Sequence, residues 1–341
     1  MSISRRQSIQ LLGTTLVGIP SIIHGLSKSE NFSKRHVIPK ALPKNATLGL
    51  VAPASPIYSK TEFDQMLVDL TDLGYNLVLG NHVDDRYGYL AGKDEDRVED
   101  LHQMFSNPAI DGILCIRGGY GSNRILELID FDLIAANPKP FIGFSDITSL
   151  HMAIYKNTGL ITFHGPVGKS SWPEYTRNSW VDVLHDAKNP LYEIPSEQKD
   201  ASYTINSGKS TGILLGGNLT VLTSLLGSDY LPSFDNAILF LEDVGEDIYR
   251  VDRMFSQLKL SGILNKINGL VFGKCTNCDE SANGLSLQQV FDDYLLDLEI
   301  PAFYGAMISH EELNLTIPVG VQATIDGEAK TIELLEPGTL K

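Results

Sequence analysis

The chain has 341 residues, 43% hydrophobic and 20% charged, which supports sizeable cores and sets a prior of about two domains. That composition excludes a disordered chain. A net charge of −15 with no long Lys/Arg patch excludes nucleic acid as an expected partner.

The first 27 residues read as a processing segment. Arg5 and Arg6 precede a modestly apolar run, Leu11 to Ile23, of about thirteen residues, whereas a bilayer span needs roughly 20. Two arginines ahead of a short run containing Gly and Thr resemble a twin-arginine export signal. Residues 1–40 are therefore expected to be signal and tail, and the protein to be exported, to the periplasm. No cysteine follows the run, so neither a lipoprotein anchor nor a stable membrane anchor after processing is expected.

Short apolar runs then alternate with amphipathic stretches. Thr47 to Ala52 predicts a buried strand, and Thr61 to Leu73 a helix with Thr61 as N-cap and Phe63, Met66, Leu67, Leu70 and Leu73 inward. Tyr75–Leu79 predicts a strand, Asp94–Ser106 a helix, and Gly112–Ile116 and Phe141–Phe144 two more strands. Continuous apolar strands separated by helices imply a parallel sheet covered on both faces. Residues 41–170 form the expected N-terminal α/β domain. Pro173, Pro190 and Pro195 among polar residues mark 171–207 as a linker, and 208–341 as a C-terminal domain. In that domain Gly212–Leu215, Ala237–Leu241 and Gly269–Phe272 read as strands, with helices from Thr220 and over Ile248–Leu260.

The three cysteines divide into Cys115, in an apolar run and read as core, and the pair Cys275 and Cys278. The pair fits a disulfide or redox motif in an oxidising compartment; two loop thiols are the plainer reading. One pair offers too few ligands for zinc.

Near the middle, an apolar stretch ends at Gly143, and Ser145, Asp146 and Thr148 follow. That layout predicts a nucleophile elbow, with Ser145 on a tight strand-to-helix turn. Serine needs a base and a group that orients the base, and its oxyanion needs donors. The loop Arg117-Gly-Gly-Tyr-Gly121 directly follows a predicted strand, where the glycines let backbone N–H groups approach a ligand. The N–H groups of Gly119 and Asp146 are the candidate oxyanion hole. A phosphate loop or a simple turn are the other readings, although Arg124 breaks the G-x-G-x-x-G pattern. Among eight histidines, His24 falls in the signal and His36 in the tail, and His151 turns to another helix face. His310, in a polar loop between apolar segments, and His164, at a strand end, are the candidate bases, a surface residue being the plainer reading of a single loop histidine. Glu242 ends a buried strand, where an unpartnered carboxylate would be costly. Pairing with Arg250 or Arg253 is its structural alternative, although Glu246 is placed i,i+4 to Arg250.

Arg117–Gly121, Gly143–Thr148, His164–Pro166, Gly216–Leu219, Leu241–Glu246 with Tyr249–Arg253, and the spaced Gly305, His310, Asn314 and Pro318–Gly320 occur in the order that resembles the LD-carboxypeptidase family of serine peptidases. That family includes murein tetrapeptide carboxypeptidases and microcin C self-immunity proteins. The resemblance covers about residues 45 to 335. It implies a flavodoxin-like N-terminal domain and a C-terminal α/β domain with the active site between them. It also implies a triad of Ser145 as nucleophile, Glu242 as orienting acid and His310 as base, with no metal and no cofactor. Asn218 and Arg250 are then candidates for the substrate's free carboxylate, and Trp172 and Trp180 for the entrance or for plain packing. The family's histidine is usually flanked by glycines; Ser309 and Glu311 replace them here. The implied reaction removes a terminal D-amino acid, D-alanine, from an L,D-amide bond of peptidoglycan tetrapeptides, so peptidoglycan-derived peptides are the expected partners and a homodimer is left open. An immunity-type amidase acting on peptidyl-nucleotide or acyl-amino-acid substrates, and a non-catalytic envelope peptide-binding protein, are the alternatives.

Overall fold

Fourteen strands and eight α-helices follow from the alternation of apolar runs and amphipathic stretches in this computed structural model, which describes residues 36–279 and 284–341. The expected export signal lies outside the described residues. In chain order the first half contains β1 (Thr47–Val51), α1 (Lys60–Asp72), β2 (Asn76–Leu79), α2 (Asp94–Ser106), β3 (Gly112–Cys115), α3 (Phe131–Ala136), β4 (Phe141–Gly143), α4 (Thr148–Thr158) and β5 (Thr162–His164). Next come α5 (Glu174–Trp180), β6 (Leu191–Tyr192), β7 (Tyr203–Asn206), β8 (Lys209–Asn218), α6 (Leu219–Ser224), β9 (Ala237–Val244) and α7 (Ile248–Leu260). The chain ends with β10 (Gly269–Thr276), α8 (Leu287–Leu295), β11 (Ala302–Tyr304), β12 (Ile317–Val319), β13 (Gln322–Asp326) and β14 (Thr331–Leu334).

The first sheet runs β2-β1-β3-β4-β5 in parallel, the flavodoxin-like order, whose ligand sites form at the carboxyl edge. β12 closes its far edge antiparallel to β5. In the second sheet β8, β9, β10 and β11 are parallel, flanked by antiparallel strands in the order β6-β14-β13-β8-β9-β10-β11-β7. The central strands are apolar because helices or loops cover both faces; β9 is buried from Ala237 to Asp243.

α1 buries Phe63, Met66 and Leu70, as its periodicity predicts. Its cap, however, is Ser59 and not Thr61. Ser59 has the extended backbone that an N-cap requires, and its Oγ accepts from the Glu62 N–H at 3.3 Å.

The stretch expected as a linker is folded. It supplies α5 and both outermost strands of the second sheet, β6 and β7. Its prolines begin elements: Pro173 occupies the N-cap position of α5, and Pro195 that of a short 3₁₀ turn. Trp180 is buried, donates from Nε1 to the Tyr75 hydroxyl at 2.7 Å and packs edge-on against Trp172. The tryptophans therefore pack the fold and do not line the entrance. Cys275 and Cys278 form a disulfide, correcting the reading of two loop thiols, while Cys115 is buried and burial raises its thiol pKa.

Candidate active site

β4 ends at Gly143, Phe144 stays extended, and Ser145 turns the chain with φ +64° into a 3₁₀ turn that leads into α4. A serine in this left-handed region carries strain of about 1–3 kcal/mol, the kind held at functional sites by surrounding structure. The elbow places Oγ at the carboxyl edge of the first sheet, as its sequence layout predicts.

His310 stands on the loop between β11 and β12. Its Nε2 lies 2.9 Å from Ser145 Oγ and its Nδ1 lies 2.7 Å from Glu242 Oε2. A carboxylate only accepts, so Nδ1 carries the proton and Nε2 presents its lone pair to the serine. Burial, the largest single influence, lowers the His310 pKa. The charge and hydrogen bond of Glu242, with the charge of Asp243, outweigh it and raise the pKa above the ordinary histidine value. The Phe144 ring packs 4.8 Å from the imidazole and fixes its plane. Replacement of the usual glycines leaves the loop intact. Ser309, His310 and Glu311 all avoid positive φ, and Ser309 Oγ accepts from Glu311 N–H at 3.0 Å while donating to Leu313 O at 3.3 Å.

Glu242 is fully buried, and its partners include one assigned elsewhere by the sequence. Asn218 faces it in register across the β8–β9 ladder. The Asn218 amide donates to Glu242 Oε1 at 3.2 Å and to Asp243 Oδ1 at 3.1 Å, while its Oδ1 caps α6 by accepting from Val221 N–H. Both amide hydrogens and the oxygen of Asn218 are thus engaged within the protein, and the amide orients the acid. Asp243 also takes hydrogen bonds from the N–H and hydroxyl of Thr220 and from Val244 N–H. Burial, then the neighbouring charge of Glu242, raises its pKa to about 6.

The loop from Arg117 to Gly121 packs against the elbow: a Cβ on Gly118 would sit 3.2 Å from Ser145 Oγ. Gly119 has φ +116°, and a Cβ there would meet Ser55 Oγ at 2.5 Å, so only glycine fits. Ser55 and Arg97 hold this loop. Ser55 Oγ accepts from Tyr120 N–H at 3.1 Å, and the buried Arg97 donates to Gly121 O at 2.9 Å and to Pro53 O. The Asp146 side chain has a task the sequence did not indicate. It accepts from Ser122 N–H at 2.8 Å and Ser122 Oγ at 2.6 Å, tying the elbow to the turn after the glycine loop. Arg97 was legible only as a charged residue on a helix whose neighbours Val98 and Leu101 are core.

The second candidate base, His164, is fully buried between Phe144 and Phe240, and neither ring nitrogen finds a partner among the described residues. Burial drives its pKa well below the ordinary value, and it makes no hydrogen bond to Ser145. His151 is committed to Thr162 Oγ1 and Gly143 O at 2.9 and 2.8 Å, and burial lowers its pKa to about 4. Arg250 is exposed on α7, 3.7 Å from Glu246 and 3.4 Å from Asp247, and is absent from the walls around Ser145. It belongs to a surface ion-pair cluster, which corrects its assignment to the substrate carboxylate.

Ser145 and His310 open into a cleft of about 720 Å³. Gly119 and Phe144 line it near the nucleophile. Arg117 and Lys169 supply cations, Glu311 and Glu312 carboxylates, and Asn314 an amide.

A serine polarised by an imidazole that a buried carboxylate holds in one tautomer is built for acyl transfer to water, and the protein is a serine-type hydrolase. It belongs to the LD-carboxypeptidase family: residues 48–165 match the LD-carboxypeptidase N-terminal domain and residues 211–325 the C-terminal domain. A Bacillus subtilis protein named "Probable murein peptide carboxypeptidase" is 39% identical, over 86% of this chain and 92% of its own. The murein tetrapeptide carboxypeptidase of Pseudomonas aeruginosa is 35% identical, over 84% of this chain and 94% of its own. Among solved structures, the microcin C7 self-immunity protein MccF superposes with a TM-score of 0.83 at 30% identity, covering 89% of this chain and 99% of that one.

Proposed function

We propose that this enzyme removes the terminal D-alanine from the L,D-amide bond of peptidoglycan tetrapeptides. The observation that carries the reading is the continuous hydrogen-bonded line Ser145–His310–Glu242 at the floor of an open cleft in a chain of this family. Relatives named for murein peptides support the substrate class.

In the first step His310 Nε2 takes the Ser145 proton as Oγ attacks the scissile carbonyl. Glu242 stabilises the imidazolium that forms and keeps its orientation. The N–H groups of Gly119 and Asp146 receive the oxyanion; one such donor is worth about 3 kcal/mol in comparable sites. His310 then protonates the leaving D-alanine nitrogen, and water, deprotonated by the same imidazole, releases the acyl group. Incubation of the protein and its Ser145→Ala variant with a murein tetrapeptide, read by mass spectrometry, tests this. Loss of one alanine with wild type alone is expected; no loss with wild type would reject the substrate.

The likeness to MccF, which has also been solved in complex with aspartyl sulfamoyl adenosine, favours a second reading, an immunity-type amidase acting on peptidyl-nucleotide or acyl-amino-acid substrates. Cleavage of an aminoacyl sulfamoyl adenosine with the tetrapeptide left intact would select it.

Export through the twin-arginine route is also proposed, from Arg5 and Arg6 ahead of the short apolar run. The Cys275–Cys278 disulfide is in keeping with an oxidising compartment. Fractionation of cells expressing the full chain and an Arg5→Lys/Arg6→Lys variant tests it. Equal periplasmic amounts would reject that route.

A further inference from the structure

A carboxypeptidase must read the free carboxylate one residue beyond the bond it cuts. Covalent geometry keeps that carboxylate carbon within about 4 Å of the scissile carbonyl carbon. The group that reads it must therefore reach into the cleft around the nucleophile. Arg250 does not, and the Asn218 amide is fully engaged.

Arg117 does. It lines the cleft, and its neighbour Gly118 lies so close that a Cβ there would be 3.2 Å from Ser145 Oγ. Its guanidinium is fixed: Nη1 donates to Pro56 O at 2.6 Å, and the group lies 5.6 Å from the centre of the Tyr58 ring. No carboxylate among the described residues stands within ion-pair distance of it. The other cation of the cleft, Lys169, is paired with Glu62 at 2.9 Å. A half-buried, positioned guanidinium without an acid leaves donors free for a planar anion, the geometry a carboxylate offers.

Asn314 gives an independent sign that the cleft receives a polar ligand. It is 4% exposed and lines the same cleft. Its Oδ1 accepts from Ser309 N–H at 3.4 Å, which orients the amide, and its Nδ2 is buried with no partner among the described residues. An unpaired buried donor is costly unless a ligand satisfies it.

We propose that Arg117 is the specificity-determining residue that pairs with the substrate's terminal carboxylate, and so makes the enzyme a carboxypeptidase. The inference rests on the tetrapeptide reading above. Its test compares kcat/KM for a tetrapeptide ending in D-alanine and the same peptide ending in D-alaninamide. Wild type, Arg117→Gln, Arg117→Lys and Lys169→Gln are each checked for an unchanged melting temperature. Wild type is expected to prefer the acid by roughly 30-fold or more, the scale of a partly desolvated charge pair. Arg117→Gln collapses that preference towards unity, mainly through KM; Arg117→Lys restores part of it; Lys169→Gln retains it. A preference retained in Arg117→Gln, equal losses on both peptides, or a collapse in Lys169→Gln would each overturn the assignment. Cleavage of neither peptide by wild type would instead reject the substrate reading on which it stands.

Discussion

The Thr148 hydroxyl accepts a hydrogen bond from the Asn218 backbone N–H at 2.9 Å. Thr148 begins the helix three residues after Ser145, and Asn218 ends the strand beside Glu242. One buried contact thus ties the nucleophile's helix to the acid's strand. Gly217 permits the approach, since a Cβ there would fall 2.4 Å from Thr148 Oγ1. Thr148→Val preserves shape but leaves a buried N–H without its acceptor. It should cost about 1–3 kcal/mol in urea unfolding and lower kcat more than tenfold. Unchanged kcat would show that the two halves hold their register without this bond.

Asn218→Ala should separate the acid-orienting role from substrate binding. Loss of the shared amide leaves Glu242 and Asp243 as neighbouring carboxylates without their common donor. The expected outcome is a fall in kcat of roughly 10- to 100-fold with KM little changed, since the contact acts on the triad. A rise in KM with kcat preserved would return Asn218 to substrate binding.

The pH profile follows from the sign of the His310 shift. The base works only when neutral, and Glu242 and Asp243 raise its pKa above the usual value near 6.5. The acid limb of kcat/KM should therefore lie above pH 6.5, activity falling as pH drops through it. In Glu242→Gln the raising charge is gone and burial remains, so the limb should move to lower pH. The plateau should also fall by roughly 10³–10⁴-fold, by analogy with an orienting aspartate replaced by its amide. A limb that stays in place would mean another group is being titrated.

Acid stability carries a second titration. His151 is buried, its pKa lowered from 6.5 to about 4. Between those values the unfolded chain binds a proton that the native chain does not. The stabilisation is thus fully present above pH 6.5 and lost as pH falls towards 4, by about 3 kcal/mol in total. Urea melts at pH 7 and pH 4.5 should show this loss, and His151→Gln should reduce it. An equal loss in the variant would place the acid sensitivity elsewhere.

Legibility varied with the range of the signal. Ser145 was readable because an apolar strand, a glycine and helix-opening residues sit within a few positions. Glu242 was readable because a carboxylate ended a buried apolar run. His310 was not distinguishable from His164 by local pattern; the resemblance singled it out, and the structure separates the two, one bonded to Ser145 and the other enclosed by phenylalanines. Arg250 looked available because an i,i+4 partner on an exposed helix face does not reveal how far that face lies from the cleft. Arg97 was missed because its partners, Gly121 O and Pro53 O, are distant in sequence.

The sequence by itself determined the parallel strands, the elbow and the glycine loop, because strand burial and turn chemistry depend on residues a few positions apart. Only the tertiary structure decided where the prolines of 171–207 would lead, since β6 and β7 acquire their identity from sheet edges supplied by other segments. It also decided that Cys275 and Cys278 are joined, that β12 returns to the first sheet, and that the Asn218 amide is engaged by two acids. Each of these depends on which atoms compete for one donor, one edge or one sulfur in space, and that competition is settled by packing.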